Sequence, residues 1–169
     1  TTATYTTTVF ADPDITVSAS GSLDLCSYDD VTLTAAAGQT YLWSTGATTQ
    51  SITVNQAGSY YAVVTTSNGC VDTTATYTTT VFADADTSVT VSGPLDFCDG
   101  GSVTLTAATG QSYSWSTGAT TQSITVNQAG SYYAVVTTSN GCVDTTATYT
   151  TTVFADPDIT VSASGSLDL

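Results

Sequence analysis

The sequence predicts an all-β protein of tandem immunoglobulin-like β-sandwich domains, arranged like beads on a string. The first observation is a period of 72 residues, which aligns Trp43 with Trp115 and the cysteines of one copy with those of the next. The second is the alternation of many of the 40 threonines with apolar residues, a pattern typical of half-buried strands. The third is one Trp and one cysteine pair per copy among short strands, which is typical of an immunoglobulin-like sandwich.

The repeat also sets the domain boundaries. Residues 1–25 recur unchanged as residues 145–169, at twice the period, and the two full copies differ at 14 of 72 positions, all between 13 and 42. We predict repeat 1 at 13–84 and repeat 2 at 85–156. Residues 1–12 are then the last strand, G, of a preceding repeat, and residues 157–169 are the first strand, A, of a following one. The matching ends indicate a window on a longer array whose unit is a pair of domains.

The strands of the first copy follow from alternation and from turn residues. Ser67-Asn68-Gly69 is a strong hairpin signal, and Gly38-Gln39 marks another turn. We predict that Val31 and Leu33 share a buried face and that Trp43 and Trp115 pack in the core. The alternating threonines of strand G, Thr74 to Thr80, are predicted to form a solvated face. The predicted strands are 15–20, 23–26, 31–36, 41–44, 50–54, 59–66 and 70–82.

The composition excludes several classes of function. The chain has 14 Asp and no Lys, Arg, His or Glu, so its net charge is −14. Because binding to nucleic-acid phosphate depends on Lys and Arg, we expect no nucleic-acid partner. The sequence has no apolar run of 18 residues, so no membrane span is expected in this segment. We also expect no enzyme, because Ser and Thr have no His or Lys to activate them.

The four cysteines occupy the same two positions in each copy. This arrangement favours disulfides within the copies, Cys26–Cys70 and Cys98–Cys142, over other pairings. It also favours them over a zinc site, because the CxxC spacing of zinc ribbons is missing. Each bridge would close a loop of 45 residues and stabilise its domain by about 4 kcal/mol. Disulfides indicate an extracellular compartment.

Paired carboxylates mark the joins between repeats. Two carboxylates one residue apart can supply hard oxygen ligands to Ca²⁺, which would stiffen the joint. The alternative is a solvated acidic hinge. The residues of this predicted Ca²⁺ site are Asp12, Asp14, Asp84, Asp86, Asp156 and Asp158.

Residues 41–70, YLWSTGATTQSITVNQAGSYYAVVTTSNGC, follow Cys26 and the string VTLTAAAGQ. Together they resemble the Ig-like/PKD-like repeats of giant secreted surface proteins of Bacteroidetes, including gliding-motility adhesins exported by the type IX secretion system. The resemblance covers both full copies and implies a long extracellular stalk at the cell surface. It also implies O-glycosylation at Thr73 and Thr145, because the Asp-Thr-Thr around each resembles an acceptor motif of that group.

These observations predict a structural repeat of an extracellular filament, stalk or cell-surface fibre, with neighbouring repeats or copies of itself as partners. One alternative is an adhesin module whose loops bind a glycan or a cell-surface protein. A second is a fibre subunit polymerised by donation of the strands at 1–12 and 157–169. The constancy of residues 43–84 between copies, against the variation at 13–42, favours a scaffold.

Overall fold

The computed structural model of the chain describes residues 2–37 and 40–160, and within them it contains strands and loops only. The chain divides into two compact units, hereafter modules, between Ala83 and Asp84. Each module is an immunoglobulin-like β-sandwich, as predicted. The predicted turn at 38–39 and residues 161–169 of the predicted last segment lie outside the described residues. Within the described ranges, no helix has the length and apolarity needed to cross a membrane.

In the first module the strands form three groups. The groups have the orders β1-β3-β5, β4-β7-β8 and β2-β9-β6. All pairings are antiparallel except that of β2 with β9, which is parallel. The strands are β1 (Val17–Ala19), β2 (Asp24–Cys26), β3 (Val31–Ala35), β4 (Thr40–Trp43), β5 (Ser51–Val54), β6 (Gly58–Tyr60), β7 (Ala62–Thr65), β8 (Val71–Thr73) and β9 (Tyr77–Phe82).

The second module repeats this topology. Its groups have the orders β10-β12-β14, β13-β16-β17 and β11-β18-β15, and the pairing of β11 with β18 is again parallel. Its strands are β10 (Val89–Val91), β11 (Asp96–Cys98), β12 (Val103–Ala107), β13 (Ser112–Trp115), β14 (Ser123–Val126), β15 (Gly130–Tyr132), β16 (Ala134–Thr137), β17 (Val143–Thr145) and β18 (Tyr149–Phe154).

The core of each module lies between these strand groups. Val31 and Leu33 of β3 are fully buried, and they pack in one cluster with Trp43 of β4 and Ala62 of β7. The Trp43 side chain is 2% exposed, and its indole Nε1 donates to the Thr49 carbonyl at 2.8 Å. The burial leaves no polar atom of the indole unpaired, which an apolar core requires. Trp115 has the same environment in the second module, so both predicted core tryptophans are confirmed.

The predicted continuous strand at 70–82 is wrong, because β8 ends at Thr73 and β9 begins only at Tyr77. Thr74 turns inward there and is 5% exposed. Its hydroxyl accepts a hydrogen bond from the Ala62 N–H at 3.0 Å and donates one to the Ala75 carbonyl at 3.0 Å. Thr74 is therefore not part of a solvated face, whereas Thr80 is exposed as predicted.

The predicted strand at 59–66 is likewise divided, here at Tyr61. Tyr60 is half-buried, and its hydroxyl donates to the Gln56 carbonyl at 3.1 Å. Tyr61 lies outside both β6 and β7 and is 41% exposed. The chain changes its strand partner at this interruption: β6, before it, pairs with β9, whereas β7, after it, pairs with β4.

The prediction of a strand at 1–12 is not met by the structure, in which residues 2–16 form no strand. The equivalent residues of the first module form β9, which pairs with β2 on one side and β6 on the other. Residues 2–12 have no such partners among the residues that the structure describes. Without the hydrogen bonds of a sheet, this sequence does not hold a strand conformation.

Candidate functional site

The two ends of each module are distinct, and the chain passes from one to the other. At the end that we call the leading end, β1 begins, with Val17 opposite Ala35. At the other end, the trailing end, β9 finishes, with Phe82 opposite Cys26. The chain therefore enters the first module at its leading end and leaves it at its trailing end.

The second module has the same two ends. Val89, the first residue of β10, lies opposite Ala107 at its leading end. Phe154, the last residue of β18, lies opposite Cys98 at its trailing end. The linker at 83–88 thus leaves the trailing end of the first module and arrives at the leading end of the second.

The two cysteines of a module lie at opposite ends. Cys70 closes the turn between β7 and β8 at the leading end, whereas Cys26 lies beside Phe82 at the trailing end. The chain runs from Val71 to Phe82 between these ends, first as β8 and then as β9. At about 3.3 Å per residue, a fully extended chain over these positions would span at most roughly 36 Å. A disulfide needs Cα atoms within about 7 Å of each other, and positions at opposite ends of a sandwich do not come that close.

The structure therefore contradicts the predicted pairings Cys26–Cys70 and Cys98–Cys142. Cys26 and Cys142 are disulfide-bonded, whereas Cys70 and Cys98 are free thiols. The repeat matches the cysteines of one copy to those of the next, but this match does not show that the two cysteines of one copy pair with each other. The sequence contained a signal against that pairing, because the strands of residues 71–82 carry the chain from one end of the module to the other.

The turn at the leading end holds its cysteine in a fixed backbone conformation. The Thr66 N–H donates to the Cys70 carbonyl at 2.9 Å, and the Cys70 N–H donates to the Thr66 hydroxyl at 3.0 Å. Gly69 makes the turn possible with a φ of 81°. Thr138 and Cys142 form the same two bonds at 2.8 and 3.1 Å. The turn has the same geometry in both modules, although one cysteine is bonded and the other is free.

The loop after the trailing-end cysteine differs between the modules. In both modules, the third residue after the cysteine donates its backbone N–H to the cysteine carbonyl. The Asp29 N–H donates to Cys26 at 3.0 Å, and the Gly101 N–H donates to Cys98 at 2.9 Å. In the first module the Asp29 carboxylate also accepts the Cys26 N–H at 2.9 Å. In the second, a Cβ at position 101 would lie 2.9 Å from the Cys98 carbonyl oxygen, so only glycine fits. Four of the 14 differences fall in this loop, at 27–30 and 99–102.

The linker carboxylates form turns. Asp14 Oδ1 accepts the Thr16 N–H at 2.9 Å, and Asp86 Oδ1 accepts the Ser88 N–H at 2.9 Å. These backbone hydrogen bonds favour the charged form and lower the pKa of both carboxyl groups.

In residues 2–37 and 40–160, no group of three His, Cys, Asp or Glu side chains comes together in a way that could hold a metal ion. The structure thus does not assemble the predicted Ca²⁺ site. The physical reason is that Asp14 and Asp86 bond the backbone two residues ahead instead of converging with further carboxylates. The residues named for that site were Asp12, Asp14, Asp84, Asp86, Asp156 and Asp158.

The two threonines predicted to carry glycans lie at the ends of short strands. Thr73 ends β8 and Thr145 ends β17, and both are exposed. Each threonine donates its backbone N–H to the carboxylate of the preceding aspartate, Thr73 to Asp72 at 2.7 Å and Thr145 to Asp144 at 2.6 Å. Their modification stays a prediction.

Comparisons with known proteins give structural similarity only. No family model matches the chain, and no curated protein matches it. The chain is similar to murine CEACAM1b at 13% identity and a TM-score of 0.35, covering 78% of this chain and 96% of that one. It is similar to fibronectin(III)-like modules of Clostridium thermocellum CbhA at 10% identity and a TM-score of 0.43, covering 83% and 94%. It is also similar to Bacteroides ovatus SGBP-B in complex with a mixed-linkage heptasaccharide, at 15% identity and a TM-score of 0.24, covering 79% of this chain and 43% of that one.

Proposed function

We propose that the two modules are non-catalytic structural repeats of a long extracellular filament, stalk or cell-surface fibre. The observation that carries this proposal is the path of the chain, which enters each module at its leading end and leaves at its trailing end. A repeat with this path adds its own length to an array. A repeat whose termini lay at one end would instead fold back on its neighbour.

The repeat also has a definite length. A strand of about 10 residues spans roughly 33 Å, and the linker adds a few residues, so each repeat is expected to advance the array by about 35–45 Å. The identity of residues 43–84 with 115–156 supports a scaffold, because every repeat then presents the same strands.

An extracellular location is supported by the disulfide-bonded state of Cys26 and Cys142, since such bonds persist in oxidising compartments. The resemblance to Bacteroidetes surface proteins points to the same location and to export by the type IX secretion system. Neighbouring repeats, or copies of the chain, would be the principal partners.

Electron microscopy of chains with increasing numbers of repeats tests this function. We expect the contour length to rise by about 35–45 Å for each added repeat. A length that stays constant as repeats are added would show that the modules fold back on one another, and it would refute the filament.

The adhesin alternative requires variation on surfaces that remain accessible in an array. The concentrated variation instead lies at 27–30, beside Cys26 and next to the linker, which favours the scaffold. A glycan array and a pull-down from cell-surface extracts would test this alternative, and specific binding that is lost when one loop is exchanged would favour it.

The strand-donation alternative is tested by reducing denaturing electrophoresis of native material. A band near 17.1 kDa would support separate subunits, whereas a very large species would support one continuous polypeptide.

A further inference from the structure

We propose that Asn68 and Asn140 are sites of spontaneous deamidation, and that the hairpin turn around each asparagine controls the reaction. Deamidation converts the side-chain amide of an asparagine into a carboxylic acid without an enzyme. Each event adds a negative charge to a chain whose net charge is already −14. The inference goes beyond the proposed function and does not depend on it, because each turn lies within one module.

The reaction is an attack of a backbone nitrogen on the side chain before it. The nitrogen of the following residue loses its proton and bonds the asparagine Cγ, and the side-chain amino group leaves as ammonia. Water then adds to either carbonyl carbon of the cyclic succinimide and opens the ring. In sum, an amide and a water become a carboxylic acid and an ammonia. The acid is aspartate or isoaspartate, in which the backbone passes through the side-chain methylene.

The sequence around Asn68 and Asn140 favours this attack. Each asparagine precedes a glycine, which has no side chain to shield its backbone nitrogen. A Cβ added to either glycine would meet no atom within 4 Å beyond its neighbours in the chain. Residues 67–69 and 139–141 are exposed, so water reaches both sites.

The two other asparagines, Asn55 and Asn127, are poorly placed for the reaction. Each precedes a glutamine, whose side chain shields the backbone nitrogen. The Gln56 carbonyl also accepts hydrogen bonds from the Tyr60 hydroxyl at 3.1 Å and the Thr79 hydroxyl at 2.6 Å, which fix the backbone beside Asn55. The chain thus contains its own slow controls.

The hydrogen bonds and dihedral angles identify the turn at Asn68 as type I. The Gly69 N–H donates to the Thr66 carbonyl at 3.0 Å, which makes Ser67 and Asn68 the two central residues. Among the residues that the structure describes, only glycines have a positive φ and no peptide bond is cis, which excludes types I′, II, II′ and VI. A type I turn gives its second central residue a ψ of about 0°.

The closed turn cannot react. At this ψ the Gly69 nitrogen eclipses the backbone nitrogen of Asn68, whereas ring closure requires it to eclipse Cβ, a rotation of about 120°. The rotation breaks the bond from Gly69 and displaces Cys70, whose N–H donates to the Thr66 hydroxyl at 3.0 Å and whose carbonyl accepts the Thr66 N–H at 2.9 Å. Deamidation therefore proceeds from the opened turn, and its rate measures how often the turn opens.

The modification is irreversible and changes the turn. Isoaspartate lengthens the backbone between Thr66 and Cys70 by one carbon, so the three hydrogen bonds no longer share one register. The identity of residues 43–84 with 115–156 gives both repeats the same site. Modified turns would accumulate with the age of the chain.

The absence of Lys and Arg from the sequence gives a direct test. The substitution Ala83→Lys, at an exposed linker position, creates the only tryptic site in the chain. The folded chain is incubated at mildly alkaline pH, which favours the deprotonated nitrogen, and is then denatured, reduced and cleaved. Mass spectrometry counts the amide-to-acid conversions in each half. We expect one conversion in each half, about ten- to a thousand-fold slower than in urea, because three hydrogen bonds must break.

Both extremes would overturn the proposal. Equal rates in the folded and the denatured chain would show that the turn exerts no control. A folded chain that gains no acid over about a thousand half-times of the reaction in urea would show that the turn does not open to reaction.

The substitution Asn68→Gln in the same background assigns the conversion. Glutamine keeps an amide but would have to close a larger ring, so the first half should stay unmodified while the second half converts as before. Acid that still forms in the first half at the original rate would overturn the assignment and point to Asn55.

The substitution Thr66→Val tests the control by the turn. It keeps the shape of the side chain and removes the hydroxyl that accepts the Cys70 N–H. The loss of one hydrogen bond should raise the rate in the first half about two- to ten-fold. The second half retains Thr138 and is the internal reference, and near-native circular dichroism and tryptophan fluorescence would confirm folding. An unchanged rate in the first half would overturn the proposed control.

Discussion

The buried hydroxyl of Thr74 gives a sharp prediction about stability. The substitution Thr74→Val keeps the shape of the side chain but removes the acceptor for the Ala62 N–H, which lies on a fully buried residue. A buried donor left unpaired costs about 1–3 kcal/mol. The lost bond to Ala75 adds little, because that residue is exposed and its carbonyl can bond water. We therefore expect a loss of about 2 kcal/mol in the free energy of unfolding of the first module.

Urea unfolding followed by tryptophan fluorescence measures this loss. In a Trp115→Phe background, Trp43 alone reports the first module, and reductant keeps the modules free of disulfides. With an m-value of about 1–2 kcal/mol/M, the midpoint should fall by about 1–2 M.

Two variants in the following strand, β9, complete the experiment. Thr80→Val changes an exposed residue and should alter the free energy by less than about 0.5 kcal/mol. Thr79→Val should cost about 1 kcal/mol. Its acceptor, the Gln56 carbonyl, retains the bond from the Tyr60 hydroxyl at 3.1 Å. A Thr74→Val effect no larger than that of Thr80→Val would refute the reasoning, since it would show that the Ala62 N–H finds another partner or water.

Further predictions concern the linker, a turn and a side-chain hydrogen bond. The Asp86 carboxyl should titrate below its ordinary pKa of 3.8 in a carbon-detected NMR titration, because the Ser88 N–H bonds its charged form. Since this pKa is lower in the folded state, the bond stabilises the fold above pH 3.8, and this contribution is lost as the pH falls through the folded pKa. The substitution Ser88→Pro removes the N–H donor and should return the pKa of Asp86 to its ordinary value. Gly69→Ala should lower the free energy of unfolding in urea by about 1–2 kcal/mol, because φ is 81° at this position. Gly21→Ala is the control and should cost far less, because Gly21 has open space around it and no positive φ. Tyr77→Phe should cost about 1 kcal/mol, since the hydroxyl donates to a carbonyl of β1 at 2.8 Å, and thermal unfolding would contradict this if the melting temperature did not change.

Most of the fold could be predicted from the sequence because strand alternation and burial obey the same periodicity. Val31, Leu33 and Ala35 alternate with threonines in the sequence and are the buried face of β3 in the structure. The strand breaks at Tyr61 and Thr74 could not be predicted in this way. Both arise where one strand changes its partner from one sheet to the other, and such a change leaves the alternation of residue types almost intact.

The candidate site was harder to predict because it depends on positions distant in the sequence. The repeat shows that the four cysteines occupy two equivalent positions, but it does not show at which end of the module each position lies. Finding the end requires the register of β9 against β2, where Phe82 lies beside Cys26. The linker carboxylates illustrate a second difficulty. The carboxylates of Asp84 and Asp86 could form either a cation site or a turn. The outcome depends on whether a nearby backbone N–H donates to the carboxylate, as the Ser88 N–H does to Asp86.

The parallel pairing of β2 with β9 has a mechanical consequence. A force that stretches the chain pulls β2 towards the leading end through β1, and it pulls β9 towards the trailing end through the linker. The two strands run in the same direction, so this load slides one along the other and strains all the bonds between Asp24–Cys26 and Thr80–Phe82 at once. An antiparallel pair pulled from its open end would lose its bonds one at a time at a smaller force. The parallel pairing therefore makes each module resist a pull between its two ends more strongly than an antiparallel pairing loaded from its open end would.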